Sequence, residues 1–124
     1  MRDSLGLTVS EFAFSDLVDD GKPIRVLARI AMLRTEDGGR KSSAVGAYRP
    51  NHNFGAADGR TFYVGQVEIP AGTSIAPGET RDVLVTFISG EGLSDLLQVG
   101  RTWRIQEGQH LIANAHVLSR EGEA

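Results

Sequence analysis

Apolar and polar positions alternate in short stretches along this chain, and turn residues break the stretches apart. Residues 24–33, IRVLARIAML, place Ile24, Val26, Ala28, Ile30 and Met32 on one side. Arg25 and Arg29 fall on the other, with Leu27, Ala31 and Leu33. A period of two with one apolar face predicts a half-buried strand. A helix is the rival, since Ala, Leu, Arg and Met all favour one. The flanking turns decide for the strand. Asp19-Asp20-Gly21 precedes it, and Glu36-Asp37-Gly38-Gly39 follows, which reads as a hairpin between two extended stretches.

Residues 41–48 alternate weakly and stop at Pro50, which also biases Arg49 toward extended backbone. Residues 51–59 read as a polar, glycine-rich loop. Residues 60–69 resume an extended pattern, with a bulge expected near Gly65. Pro70-Ala71-Gly72 and Pro77-Gly78 are turns. The strongest strand lies within 79–90, where Val83, Val85 and Phe87 alternate with Leu84, Thr86 and Ile88. Residues 92–99 predict one turn of helix, and Trp103 and Ile105 share a face of the next strand. Glu107-Gly108 turns the chain into residues 110–118, with Leu111, Ala113, Ala115 and Val117 as the expected core face.

No segment predicts a crossover helix of about ten residues or more, which a parallel α/β sheet requires. The expectation is an all-β fold. Residues 9–20 are ambiguous between a helix capped by Ser10 and an added strand carrying Phe12 and Phe14.

The 124 residues suit one domain with a substantial core. Fifteen glycines favour a fold rich in turns. The chain has no cysteine, which excludes disulfides and thiolate-bound metal and fits a cytoplasmic location. No apolar run nears the about 18 residues of a membrane span, and the N-terminus does not read as a signal peptide. Net charge is −3, and residues 1–23 alone hold five acids against two bases. That balance argues against indiscriminate phosphate binding but leaves room for local basic surface.

Several motifs recur in order. Arg34-Thr35-Glu36-Asp37-Gly38-Gly39-Arg40 precedes Gly46-Ala47-Tyr48-Arg49-Pro50. Ile69-Pro70-Ala71-Gly72, Ala76-Pro77-Gly78-Glu79 and Trp103-Arg104-Ile105-Gln106-Glu107-Gly108 follow. In sequence and spacing the set resembles the third, C-terminal β-barrel domain of bacterial translation elongation factor Tu, over about residues 24–118. The resemblance implies a six-stranded antiparallel barrel over 24–118. Outside it the chain leaves an N-terminal arm over 1–23, read as an added edge strand or an irregular arm, and a flexible tail at 119–124. The resemblance also implies a barrel that packs against a GTP-binding domain and helps grip the T-stem of aminoacyl-tRNA. No phosphate loop of the GxxxxGK[ST] kind is present, so this chain is expected neither to bind nor to hydrolyse GTP.

The chain departs from that pattern in places. Residues 51–59 are an insertion. Lys41 replaces the family's histidine, and the last turn reads Gly108-Gln109-His110, where the family carries a Gly-Gly-Arg cation. Arg49 matches a family arginine that faces the GTP-binding domain, so here it serves either a local pair or another protein.

Gly39, Arg40, Lys41, Arg49 and Arg104 form the candidate binding surface, since a guanidinium fork and a lysine both suit phosphates or carboxylates. The bland alternative is a solvated tip and one structural arginine. His52, His110 and His116 have no metal-motif spacing, and no metal or cofactor is expected. Ser42, Ser43, His52 and Asp58 hold the ingredients of a hydrolase without a nucleophile elbow, so no enzyme is expected. The leading expectation is a non-enzymatic interaction module, binding another protein or itself through an edge strand. An RNA-binding accessory related to translation is the alternative, and a small hydrolase at 51–59 the third.

Overall fold

The computed structural model of the protein describes residues 23–88 and 92–121. Its strands are β1 (Ile24–Met32), β2 (Ala47–Tyr48), β3 (Asn51–Asn53), β4 (Tyr63–Glu68), β5 (Thr80–Phe87), β6 (Thr102–Glu107) and β7 (His110–Arg120). A single helical turn, α1 (Leu93–Leu96), joins β5 to β6. Hydrogen bonding runs β4-β3-β6-β7-β1-β5 and returns from β5 to β4, and every pairing is antiparallel. Six strands therefore close a barrel, the all-β fold that the alternation predicted and the strand number that the resemblance implied. Closure removes the unpaired edges of the ring.

One extra strand, β2, bonds to β4 outside the ring. It keeps the frame of β3. Ala47 faces Glu68 and Tyr48 faces Val67, while Asn51 faces Val64 and His52 faces Tyr63. The two pieces are one strand interrupted at Arg49 and Pro50, where proline has no N–H to give the ladder. The arm expected over 1–23 lies, apart from Pro23, outside the described residues. β7 runs to Arg120, past the boundary expected at Leu118, and the Glu121 N–H bonds the Arg25 carbonyl at 2.9 Å.

Alternation builds the core. Val26, Ala28, Ile30 and Met32 point inward from β1, and Val83, Val85 and Phe87 from β5. β6 contributes Trp103 and Ile105, and α1 with the residue after it adds Leu93 and Leu97, both fully buried. Burying each large side chain stabilises by roughly 2 kcal/mol.

Four local expectations are corrected. The segment after β1 forms no hairpin, because β1 already pairs with β5 on one side and β7 on the other. It makes a 3-10 turn (Thr35–Asp37) that ends on Gly38 at φ 96°. The predicted loop 51–59 begins as strand β3, and His52, Asn53 and Phe54 are buried. Gly65 marks no bulge, since β4 and β5 stay in register from Gly65 opposite Phe87 to Glu68 opposite Leu84. A Cβ there would stand 2.9 Å from both His52 and Phe87, so the glycine admits a ring rather than a bend. Register shifts lie instead where β1 meets β7, between Leu27 and Ala28, and where β6 meets β7, between Ile105 and Gln106. The second shift changes the inward parity, so Ile112 is buried where Leu111 was expected.

Candidate interaction surface

The turn after β1 packs against the β6–β7 turn. Gly39 lies so close to the carbonyl oxygen of Leu33 that a Cβ would sit 2.2 Å from it, and its N–H bonds the Arg34 carbonyl at 2.9 Å. This glycine is a packing requirement of the turn. The ring of His110, at the start of β7, hydrogen-bonds the Gly38 carbonyl and fastens the two turns together.

Arg40 lies at this junction with its side chain only 20% exposed. Its Nη1 donates to Glu107 Oε2, its Nε to the Ser42 carbonyl at 3.0 Å and its Nη2 to Ser42 Oγ at 3.2 Å. The guanidinium also stands over the Tyr48 ring, 5.1 Å from its centre, an arrangement in which the cation meets the negative ring face. Tyr48 in turn donates its hydroxyl to Glu107 Oε2. Partial burial and that bond hold the Tyr48 hydroxyl protonated well above its ordinary range. Burial by itself would raise the Glu107 carboxyl, yet the bonds from Tyr48 and Arg40 bring it below its usual value. Arg40, Tyr48 and Glu107 thus form one hydrogen-bonded unit in which cation and carboxylate cancel.

The other candidates do not join it in one patch. Lys41 is exposed beside Arg40 and has no partner among the described residues. Arg49 donates from Nε to Gln66 Oε1 at 2.7 Å, and Gln66 passes a bond to Glu68 at 2.9 Å. Of the two roles open to Arg49, the local pair is the one on view. Arg104 is half-buried on β6, flanked by Asn53 of β3 and Asn114 of β7. Three residues of strand separate it from Glu107, about 10 Å.

Sequence reading missed Tyr48, Glu107 and His110 as members of this junction. Glu107 had looked like a turn acid, and nothing local in the chain marks it as the counter-ion of a residue 67 positions away. Elsewhere the same pattern repeats. Arg25 pairs with Glu121, Arg29 with Asp82, Arg34 with Glu36 and Asp37, and Arg81 with Glu79. Among the described residues, five arginines of this barrel have a carboxylate within reach.

His52 is enclosed in the core. Trp103 Nε1 donates to its Nδ1 at 3.0 Å, which leaves Nε2 as the protonated nitrogen, donating to the Gly65 carbonyl at 3.1 Å. Phe87 meets the imidazole edge-on at 4.9 Å between ring centres. Burial pushes the His52 pKa down to about 4. Both ring nitrogens are used within the fold, so the hydrolase reading has no base at this position. Among the described residues no group of three His, Asp or Glu side chains stands together as a metal would need.

No protein-family model matches the chain.

Proposed function

We propose that this chain is a relative of the third barrel domain of elongation factor Tu, working as a non-enzymatic interaction module with a protein partner. The ion pair of Arg40 with Glu107 carries the preference for protein over RNA. Arg40, the retained tip arginine on which an RNA reading would rely, is already neutralised by a carboxylate that also binds Tyr48. A phosphate would have to displace that carboxylate. Nucleic-acid affinity rests on cations free to replace counter-ions, and paired arginines supply little of it. Protein interfaces, in contrast, accept a surface of locally satisfied polar groups around an apolar centre.

The RNA reading keeps one supporting observation. The first and last turns do meet, and Lys41 projects beside them without a partner among the described residues. Gel retardation with total tRNA at low salt separates the two. The protein reading expects no tight, salt-sensitive shift. A shift that disappears in the Arg40→Ala/Lys41→Ala double variant would replace it with the RNA reading. Affinity capture from cells, with and without ribonuclease, then distinguishes direct protein partners from those tethered through RNA.

A further inference from the structure

The segment that departs from the family pattern builds a recess of its own. Past β3, residues 54–62 loop back toward β4, and a cleft of about 290 Å³ opens between this loop and α1. Phe54, Tyr63 and Leu96 supply its apolar walls, while Gly55, Gly59 and Thr61 form its small-residue side. The loop is pinned from beneath. Asn53, fully buried, donates to Ala56 O at 2.9 Å and to Gln106 Oε1 at 2.8 Å, and accepts from the Gly55 N–H at 2.8 Å. Arg101 donates to the Phe54 carbonyl at 2.8 Å and stands 5.7 Å over its ring. Tyr63 meets the Phe54 ring edge-on at 5.7 Å. A cleft held open in this way costs a ligand little ordering.

The cleft is flanked by arginines that have no carboxylate partner among the described residues. Five arginines are matched to carboxylates. Arg60 and Arg104 are not, among the described residues, and both adjoin the cleft. Arg60 lies between Gly59 and Thr61, and Arg104 is the cross-strand neighbour of Asn53, which also lines it. With Arg101, three arginines stand against the nearby acids Asp58 and Asp95, so the surroundings keep a net positive charge.

We infer that this cleft receives one bulky apolar side chain of a partner protein, presented on an acidic segment whose carboxylates meet Arg60 and Arg104. The inference rests on the protein-binding reading and specifies the partner's chemistry. An apolar anchor in a pocket with charges at its rim is the usual division of labour at such sites.

The test titrates the full chain with blocked pentapeptides, followed by amide chemical shifts. The first peptide has phenylalanine flanked by two acidic residues on each side. The second replaces phenylalanine by alanine, and the third replaces the acids by lysine. Saturable shifts centred on residues 53–63 and 96 are expected for the first peptide. The alanine and lysine peptides should each bind at least about tenfold more weakly. Gly55→Leu should abolish binding without lowering the melting temperature, because Gly55 has φ outside the left-handed region and the nearest atom to an added Cβ is 3.5 Å away. Arg60→Glu/Arg104→Glu should weaken the acidic peptide alone. Equal binding of the lysine peptide, shifts mapping elsewhere, or no binding of the first peptide at millimolar concentration would overturn the inference. Capture experiments keep the two readings apart. A protein partner retained by the Gly55→Leu variant sinks the cleft and leaves the module standing, whereas capture of RNA alone sinks both.

Discussion

The indole N–H of Trp103 reaches Nδ1 of His52 across 3.0 Å of core, and this bond decides which imidazole nitrogen carries the proton. The other nitrogen then matches the Gly65 carbonyl at 3.1 Å. One tryptophan, one histidine and one glycine therefore join β6, β3 and β4 through a polar line inside an apolar barrel.

Acid should loosen this barrel in a window that belongs to His52. Its pKa is pushed down to about 4 in the fold, against 6.5 when exposed. Below pH 6.5 the unfolded chain therefore binds a proton that the folded chain refuses, and stability falls as pH drops from 6.5 toward 4. The full loss is roughly 3 kcal/mol. The carboxyls of Asp37, Glu79, Asp82 and Glu107 are all held low by their partners, so their contributions vanish later, toward and below pH 4. Urea unfolding of the wild type and His52→Gln between pH 7 and 4.5 checks this. An equal slope in both would remove His52 as the cause.

Trp103→Phe keeps most of the apolar area but strands Nδ1 of His52 without a donor. A buried polar atom left unpaired costs about 1–3 kcal/mol. A double-mutant cycle with His52→Phe should show coupling, because the second change removes the stranded atom. Strictly additive losses would mean that the bond contributes nothing.

Gly65→Ala should destabilise the fold by about 1–3 kcal/mol, since the methyl would press on the His52 and Phe87 rings at 2.9 Å. Gly55→Ala meets nothing closer than 3.5 Å and serves as the near-neutral control. Thermal unfolding of the pair reads the difference.

Glu107→Gln removes the charge that neutralises Arg40 while keeping an acceptor for Tyr48. If the carboxylate is what denies Arg40 to phosphates, this variant should bind tRNA more tightly than the wild type, with a steeper salt dependence. Retardation gels at two salt concentrations provide the measurement. Unchanged binding would show that Arg40 is withheld by its bonds to Ser42 and the Tyr48 ring rather than by charge.

The barrel was legible where the chain repeats with a period of two. β1 and β5 sit where Val26, Ala28, Ile30 and Val83, Val85, Phe87 said they would, because a strand with one buried face must alternate. The segment around His52 was not legible, since Asn51-His52-Asn53 has the composition of a loop. Its place in the ring depends on partners 13 and 51 positions away, Gly65 and Trp103. The junction at Arg40 failed in the opposite direction. Its motif draws attention to the residue, but a sequence cannot reveal that its counter-ion is supplied by the far end of another strand.

The arrangement of β1 sets an order of events. Both of its neighbours, β5 and β7, come later in the chain, the second ending on Arg120 beside Val26. During synthesis the first strand must wait, with Val26, Ile30 and Met32 uncovered, until β7 has emerged. A nascent barrel interrupted before β7 would expose a sticky flank, so ribosome stalling or truncation within residues 110–120 should send the protein to chaperones or aggregates rather than to a partly working product.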